Sequence, residues 1–287
     1  MHLIMSFLLM LALLTPTSAT AQSTSLSNFV RIDRDSKGAP AALQTAVAKY
    51  VPANGVKGVE IDLVAVIHVG ERSYYQHLNK AFEQYDVVLY ELVAPEGSRP
   101  RRDSEPQFGN PLALMQQLMK WGLRLEHQLE AVHYDKLNFV HADLSVEGMR
   151  KAIRDRGESE MTVFMSMIGE LMQKMQQGAG KPGPQNPTIT IEDLMKPTAL
   201  KRLMAEQLAS AGGDVGFGKT VMRSLIDDRN AACMQVLARQ LAAGKKKIAI
   251  FYGAAHMPDF DKRLRETHGL RRVSDEWINA WNLADSL

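Results

Sequence analysis

The sequence predicts an α/β protein: a parallel-rich mixed sheet flanked by helices, with a large Met-rich helical insertion. Three observations point there. Val59–Val69 and Asp86–Val93 are rich in Val, Leu and Ile with few polar interruptions, the composition of strands buried on both faces. Between them, Ser73–Tyr85 sets Tyr74, Leu78, Ala81, Phe82 and Tyr85 on one helical face, so the three segments read as a βαβ unit. Two further short apolar runs, Leu137–Ala142 and Lys247–Tyr252, supply a third and a fourth strand, with a long polar and Met-rich stretch between them.

The remaining elements follow in chain order. Phe29–Ile32 is a short strand-like piece. Ala41–Tyr50 reads as a helix, because Leu43, Val47 and Tyr50 recur at helical spacing. Pro111–His133 reads as helical. Val146–Met175 is a long helical stretch crowded with methionine, a residue that serves more often as adaptable core or groove lining than as a metal ligand. Gly178–Pro187 is rich in Gly and Pro and lacks an apolar pattern, so a loop is expected. Helices are expected over Ile191–Ala211, Val221–Ala243 and Asp259–Thr267, and Leu270–Leu283 carries a closing strand with Trp277 and Trp281. Residues 22–287 form one domain in this reading, with the helical insertion at about 145–215.

Residues 1–21 read as a signal peptide. The run Leu3–Leu14 is apolar but too short to span a bilayer, and Thr15-Pro16 ends it. Ala19-Thr20-Ala21 then offers the small residues that signal peptidase accommodates, which places cleavage before Gln22 and the mature chain outside the cytoplasm, periplasmic or secreted. The segment before the apolar run has no Lys or Arg, so either the amino terminus supplies its positive charge or the start lies elsewhere. No later stretch approaches the roughly 20 apolar residues of a membrane span. With 34 basic and 32 acidic residues the net charge is +2, which argues against nucleic acid as a partner. The single Cys233 permits no internal disulfide and reads as a small buried apolar residue.

Gly213-Asp-Val-Gly-Phe-Gly218-Lys219-Thr220 matches the G-x-x-x-x-G-K-T phosphate loop letter for letter. That loop needs a strand before it, so that backbone amides converge on phosphate at the start of a helix. Here Leu200–Ala211 precedes it with a helical pattern, so a glycine-rich turn and no ATP binding are expected.

The residues that carry chemistry stand at strand ends. Val59–Ile67 runs into His68, Lys247–Tyr252 runs into Gly253-Ala-Ala-His256, the second strand ends at Glu91, and the third ends in His141-Ala142-Asp143. Open α/β sheets bind ligands beyond the carboxyl ends of their strands, so these groups face one functional edge. Glu91 in an apolar strand is costly unless paired or coordinated. Arg229 opens a largely apolar helix leading into the fourth strand. Two imidazoles, a carboxylate and a guanidinium suit polarisation of a carbonyl, and two His with one Glu form a zinc-like ligand set. His77, His127, His133 and His268 fall in helices or loops away from these strand ends and read as surface or packing residues.

On these motifs the chain resembles the TraB/GumN family, which includes the Wnt-inactivating TIKI proteases and is related to erythromycin esterase and the haem-binding ChaN fold. The resemblance runs from about Asp62 to Trp281. The family pattern is two Gly-x-x-His motifs, a Glu after the first and an Arg before the second. Gly253-Ala-Ala-His256, Glu91 and Arg229 match it, while Ala65-Val66-Ile67-His68 has Ala in place of the first Gly. The resemblance implies an EreA/ChaN-like fold and a hydrolase, in some members a metallopeptidase. The expected function is metal-assisted cleavage of peptide or other acyl bonds. His68, Glu91 and His256 would hold a divalent ion, with His141 as a further donor. Arg229 would stabilise the oxyanion, and Asp143 or His141 would orient a ligand or take a proton. Two alternatives stay open: a metal-independent esterase using His68 and Glu91, and a non-catalytic protein that sequesters a peptide or haem-like ligand.

Overall fold

All four strands expected from apolar runs form, and they pair as one parallel block. They are Glu60–Val66 (β3), Val87–Tyr90 (β5), Phe139–His141 (β7) and Lys247–Gly253 (β8), in the spatial order β3-β8-β5-β7. The computed structural model describes residues 28–55, 58–100, 125–159, 161–162, 165, 197–210 and 226–284. The fourth strand in sequence lies between the first two, so the carboxyl ends of β3, β8 and β5 stand side by side. Their side chains are buried on both faces, as continuous apolar composition requires. The mixed α/β sheet expected from the sequence is present.

Antiparallel strands extend the block beyond β3. Pro40–Pro52 (β2) pairs with β3 and with Val30–Arg34 (β1) along one edge, and with Leu270–Asn282 (β9) along the other. This corrects the helix expected over Ala41–Tyr50. Leu43, Val47 and Tyr50 satisfy a helical period, but β2 is a central strand whose residues from Ala42 to Ala46 are all buried, so burial alternates only over Ala46–Tyr50. Pairing along both edges outweighs the helix preference of its alanines. Three two-residue or short elements also form: Val69–Gly70 (β4) pairs Glu126–His127 (β6), followed by the helix Gln128–Ala131 (α2). The part of Pro111–His133 that is described is thus a strand and a short helix.

The helix Arg72–Phe82 (α1) covers one face with Tyr74, Tyr75, Leu78 and Phe82, close to the expected stripe. Phe82 packs edge-on against Phe251 of β8 and Phe139 of β7, with ring centroids 4.8 and 5.4 Å apart. Two tyrosine hydroxyls tie α1 to the strand ends: Tyr74 to the Ala65 carbonyl at 3.2 Å, and Tyr75 to the Ile67 carbonyl at 2.9 Å. The second of these anchors the backbone just before His68.

Between β7 and β8 the described residues form Val146–Asp155 (α3), Pro197–Ser210 (α4) and Asp228–Ala242 (α5). The long helix expected from Val146 is interrupted: α3 stops at Asp155 and Gly157 takes φ 72°, the left-handed turn that ends helices. Met161 and Met165 are exposed, not core. The signal peptide, Pro111–Arg124, Gly178–Pro187 and Gly213–Thr220 lie outside the described residues, as does most of the 145–215 insertion. After β8 a single 3-10 turn, Ala254–His256, leads into Met257–Glu266 (α6). No helix among the described residues is long and apolar enough to cross a membrane. Cys233 is buried in α5, and burial pushes its thiol pKa up, away from reactivity.

Candidate functional site

Each side chain at the site is delivered by the end of a regular element. In α5 the buried residues are Arg229, Asn230, Cys233, Met234, Val236 and Leu237, one continuous helical stripe. The period that buries Cys233 and Leu237 therefore also turns Arg229 and Asn230 inward, at the first turn. Glu91 follows the last residue of β5, Asp143 lies two residues past β7, and His68 two residues past β3.

Arg229 is the hub. Its Nη2 donates to Glu91 Oε1 and to Asp143 Oδ2, both at 2.6 Å, and its Nε donates to Asp143 Oδ1 at 3.0 Å. Side-chain exposure is 8% for Arg229, 12% for Glu91 and none for Asp143, so these are buried ion pairs and not screened surface contacts. Burial alone would push the Glu91 pKa up. The charge of Arg229, with His256 and His68 nearby, instead holds it well below the usual carboxylate range. Burial disfavours the Arg229 charge, but Asp143 and Glu91 more than offset this and raise its pKa. One guanidinium against two carboxylates leaves one negative charge over, which an imidazolium or a bound cation would balance.

The two imidazoles approach this cluster from either side. His256 Nε2 lies 3.5 Å from Glu91 Oε1 and 3.5 Å from Arg229 Nη1, while its Nδ1 is 2.6 Å from Asn230 Oδ1. His68 is exposed to solvent, and its Nδ1 is 2.8 Å from Gln128 Oε1. Gln128 in turn donates from Nε2 to the Tyr134 hydroxyl at 2.8 Å. The other Glu91 oxygen, Oε2, accepts the Gly253 amide at 2.7 Å. A Cβ on Gly253 would stand 3.2 Å from that oxygen and 3.4 Å from His68 Nε2, so the glycine of the second motif is what lets Glu91 and His68 close on the β8 backbone. In the parallel register Val66 lies opposite Gly253, so this motif starts one residue further along its strand than Ala65-Val-Ile-His68 does.

Four of the six expected residues thus form one bonded cluster: Arg229, Glu91, Asp143 and His256. His68 joins at its rim through Gly253. His141 stands apart, with Nε2 2.5 Å from the Leu92 carbonyl and its ring against Tyr90. A carbonyl only accepts, so that nitrogen carries the proton and is no ligand as it stands. The positioning partners Asn230, Gln128 and Tyr134 escaped the sequence reading, although Asn230 beside Arg229 in an apolar helix is the same kind of signal that marked Arg229.

Two imidazoles and one carboxylate match in kind the donors of a zinc-like site, and the Nδ1 of each ring meets an amide oxygen, as ligating histidines commonly do. Among the described residues no three His, Cys, Asp or Glu side chains converge closely enough to hold an ion, because Glu91 is turned to Arg229 and Gly253. No family model, curated protein or solved structure matches the chain. The family reading rests on the motifs alone.

Proposed function

We propose that the chain is an exported hydrolase of peptide or other acyl bonds, of the TraB/GumN kind and with the EreA/ChaN-like fold of that group. One observation carries the reading: His68, Glu91, Asp143, Arg229 and His256, separated by up to 188 positions in sequence, meet at the carboxyl edge of one parallel block. His68 is the exposed member: it would be a ligand through Nε2 if an ion is bound, and in the metal-independent alternative that same nitrogen would take the proton of the attacking water. Arg229, held in place by two carboxylates, would stabilise the developing oxyanion once an imidazolium or a bound cation balances the surplus negative charge of Glu91 and Asp143. His256, with Nδ1 bound to Asn230, presents Nε2 toward the same point. For His68, His256 and Glu91 to hold a divalent ion, Glu91 would have to turn away from Arg229 and Gly253; such an ion would supply an activated water.

The test uses the chain beginning near Gln22, assayed on a peptide library and an ester panel with and without chelator. The expected result is turnover that chelation removes and that His68→Ala also removes, since the change deletes one of only three protein ligands. Turnover that survives chelation but not His68→Ala assigns the metal-independent route. Absence of turnover on every substrate, with a peptide or haem-like ligand retained, overturns the hydrolase reading.

A further inference from the structure

Asn230 is fully buried, and its amide makes three hydrogen bonds. Nδ2 donates to the His256 carbonyl at 3.1 Å and to Asp259 Oδ2 at 2.8 Å, while Oδ1 faces His256 Nδ1 at 2.6 Å. Both partners of Nδ2 are acceptors only. That oxygen of Asp259 also accepts from Arg263 Nε at 2.5 Å. Turning the amide over would set its oxygen against two acceptors, with Asn230 itself fully buried. The orientation of Asn230 is therefore dictated, and an amide oxygen can only accept, so Nδ1 of His256 must carry a proton.

We propose that Asn230 is a positioning residue that locks His256 in the Nδ1–H tautomer, with the Nε2 lone pair turned toward Glu91 and Arg229. The lock runs outward as Asn230–Asp259–Arg263, along α5 and α6. His68 lacks such a lock. Its partner Gln128 donates to the Tyr134 hydroxyl, and a hydroxyl serves as donor or acceptor, so Gln128 can turn over and admit either tautomer. The two histidines of the site are consequently unlike: His256 offers a fixed lone pair, and His68 is the ring that can exchange a proton at either nitrogen. The use of the lock in catalysis rests on the hydrolase reading, whereas the tautomer itself does not.

The experiment is a long-range ¹⁵N–¹H correlation spectrum of the imidazoles in the full chain, at a pH where His256 is neutral, with His256→Gln identifying the signal. His256 is expected to show a protonated Nδ1 and an unprotonated Nε2. Asn230→Leu, close to Asn in shape, removes the acceptor and should bring up the Nε2–H form. Asn230→Asp retains an acceptor beside Nδ1 and should keep the Nδ1–H form. If the chain turns over substrate, Asn230→Leu should lower kcat at least tenfold with KM nearly unchanged, and Asn230→Asp should recover part of it. An Nε2–H tautomer in the wild-type chain, or a tautomer that Asn230→Leu leaves unchanged, overturns the proposal. Should Asn230→Leu fail to fold, the wild-type spectrum decides alone. Failure of every activity assay would leave the spectrum, and with it this assignment, intact.

Discussion

Replacing Arg229 by Met tests whether the cluster at the sheet edge is held together as described. The substitution keeps an unbranched side chain in the stripe of α5 and deletes the three hydrogen bonds donated to Glu91 and Asp143, two at 2.6 Å and one at 3.0 Å. Glu91 and Asp143 are then buried carboxylates without their counter-charge. Breaking a buried ion pair from one side costs about 3–5 kcal/mol. The low end applies here, because each carboxylate keeps one backbone donor at 2.7 Å, the Gly253 amide for Glu91 and the Leu144 amide for Asp143. A loss of about 3 kcal/mol corresponds to roughly 6–12 °C in Tm for a domain of this size. The pH dependence supplies an independent check. In the wild-type chain the Glu91 pKa is depressed, so its contribution is present above the unfolded carboxyl pKa of about 4.3 and is lost as pH falls through the folded value. Without Arg229, burial dominates and protonation relieves Glu91, so the deficit should be largest near pH 7.5 and smaller at pH 5. Urea unfolding followed by circular dichroism at both values measures this. The triple variant with Glu91→Gln and Asp143→Asn should regain most of the stability, since no buried charge is left unpaired. A deficit below about 1 kcal/mol, or one that does not change with pH, would refute the buried-pair argument.

Two further perturbations probe the edge and the opposite end of the block. Gly253→Ala meets no backbone obstacle at φ −51°, so stability should be nearly unchanged, but the added Cβ must displace Glu91 or His68 by a few tenths of an ångström. Turnover should fall by roughly ten- to a hundredfold, the scale of a misplaced catalytic group, and wild-type activity in this variant would show that the close approach is not used. Asp62, buried in β3, accepts from the Tyr85 hydroxyl through Oδ2 at 2.6 Å, while Oδ1 has no hydrogen-bond partner among the described residues. Burial raises its pKa above the unfolded value, so keeping it ionised costs the folded state progressively more as pH rises through the folded pKa. Asp62→Asn should therefore stabilise by about 1 kcal/mol at pH 7 and by little at pH 4; thermal unfolding that shows the reverse order would overturn this account.

Apolar composition and strand-end placement were enough to find β3, β5, β7 and β8, the stripe of α1 and the residues Glu91, Arg229 and His256. A parallel block must be buried on both faces, so its strands announce themselves without neighbours. A charged residue inside such a segment has to be matched by a partner, which marks it in the sequence before that partner is known. The tertiary structure decided the rest. β2 became a strand only because β1, β3 and β9 pair with it along its two edges, a non-local gain that helical spacing in Ala41–Tyr50 could not register. Which of two similar strand-end histidines enters the cluster was also decided in three dimensions: His256 is brought to Arg229 by the 3-10 turn, while His141 is taken up by the Leu92 carbonyl. Asn230 and Gln128 acquired their roles in the same way, since a hydrogen bond needs both partners in place and neither partner is near in sequence. Periodicity and composition are properties of a segment, whereas pairing, tautomer and ion-pair geometry belong to contacts that exist only after the chain has folded.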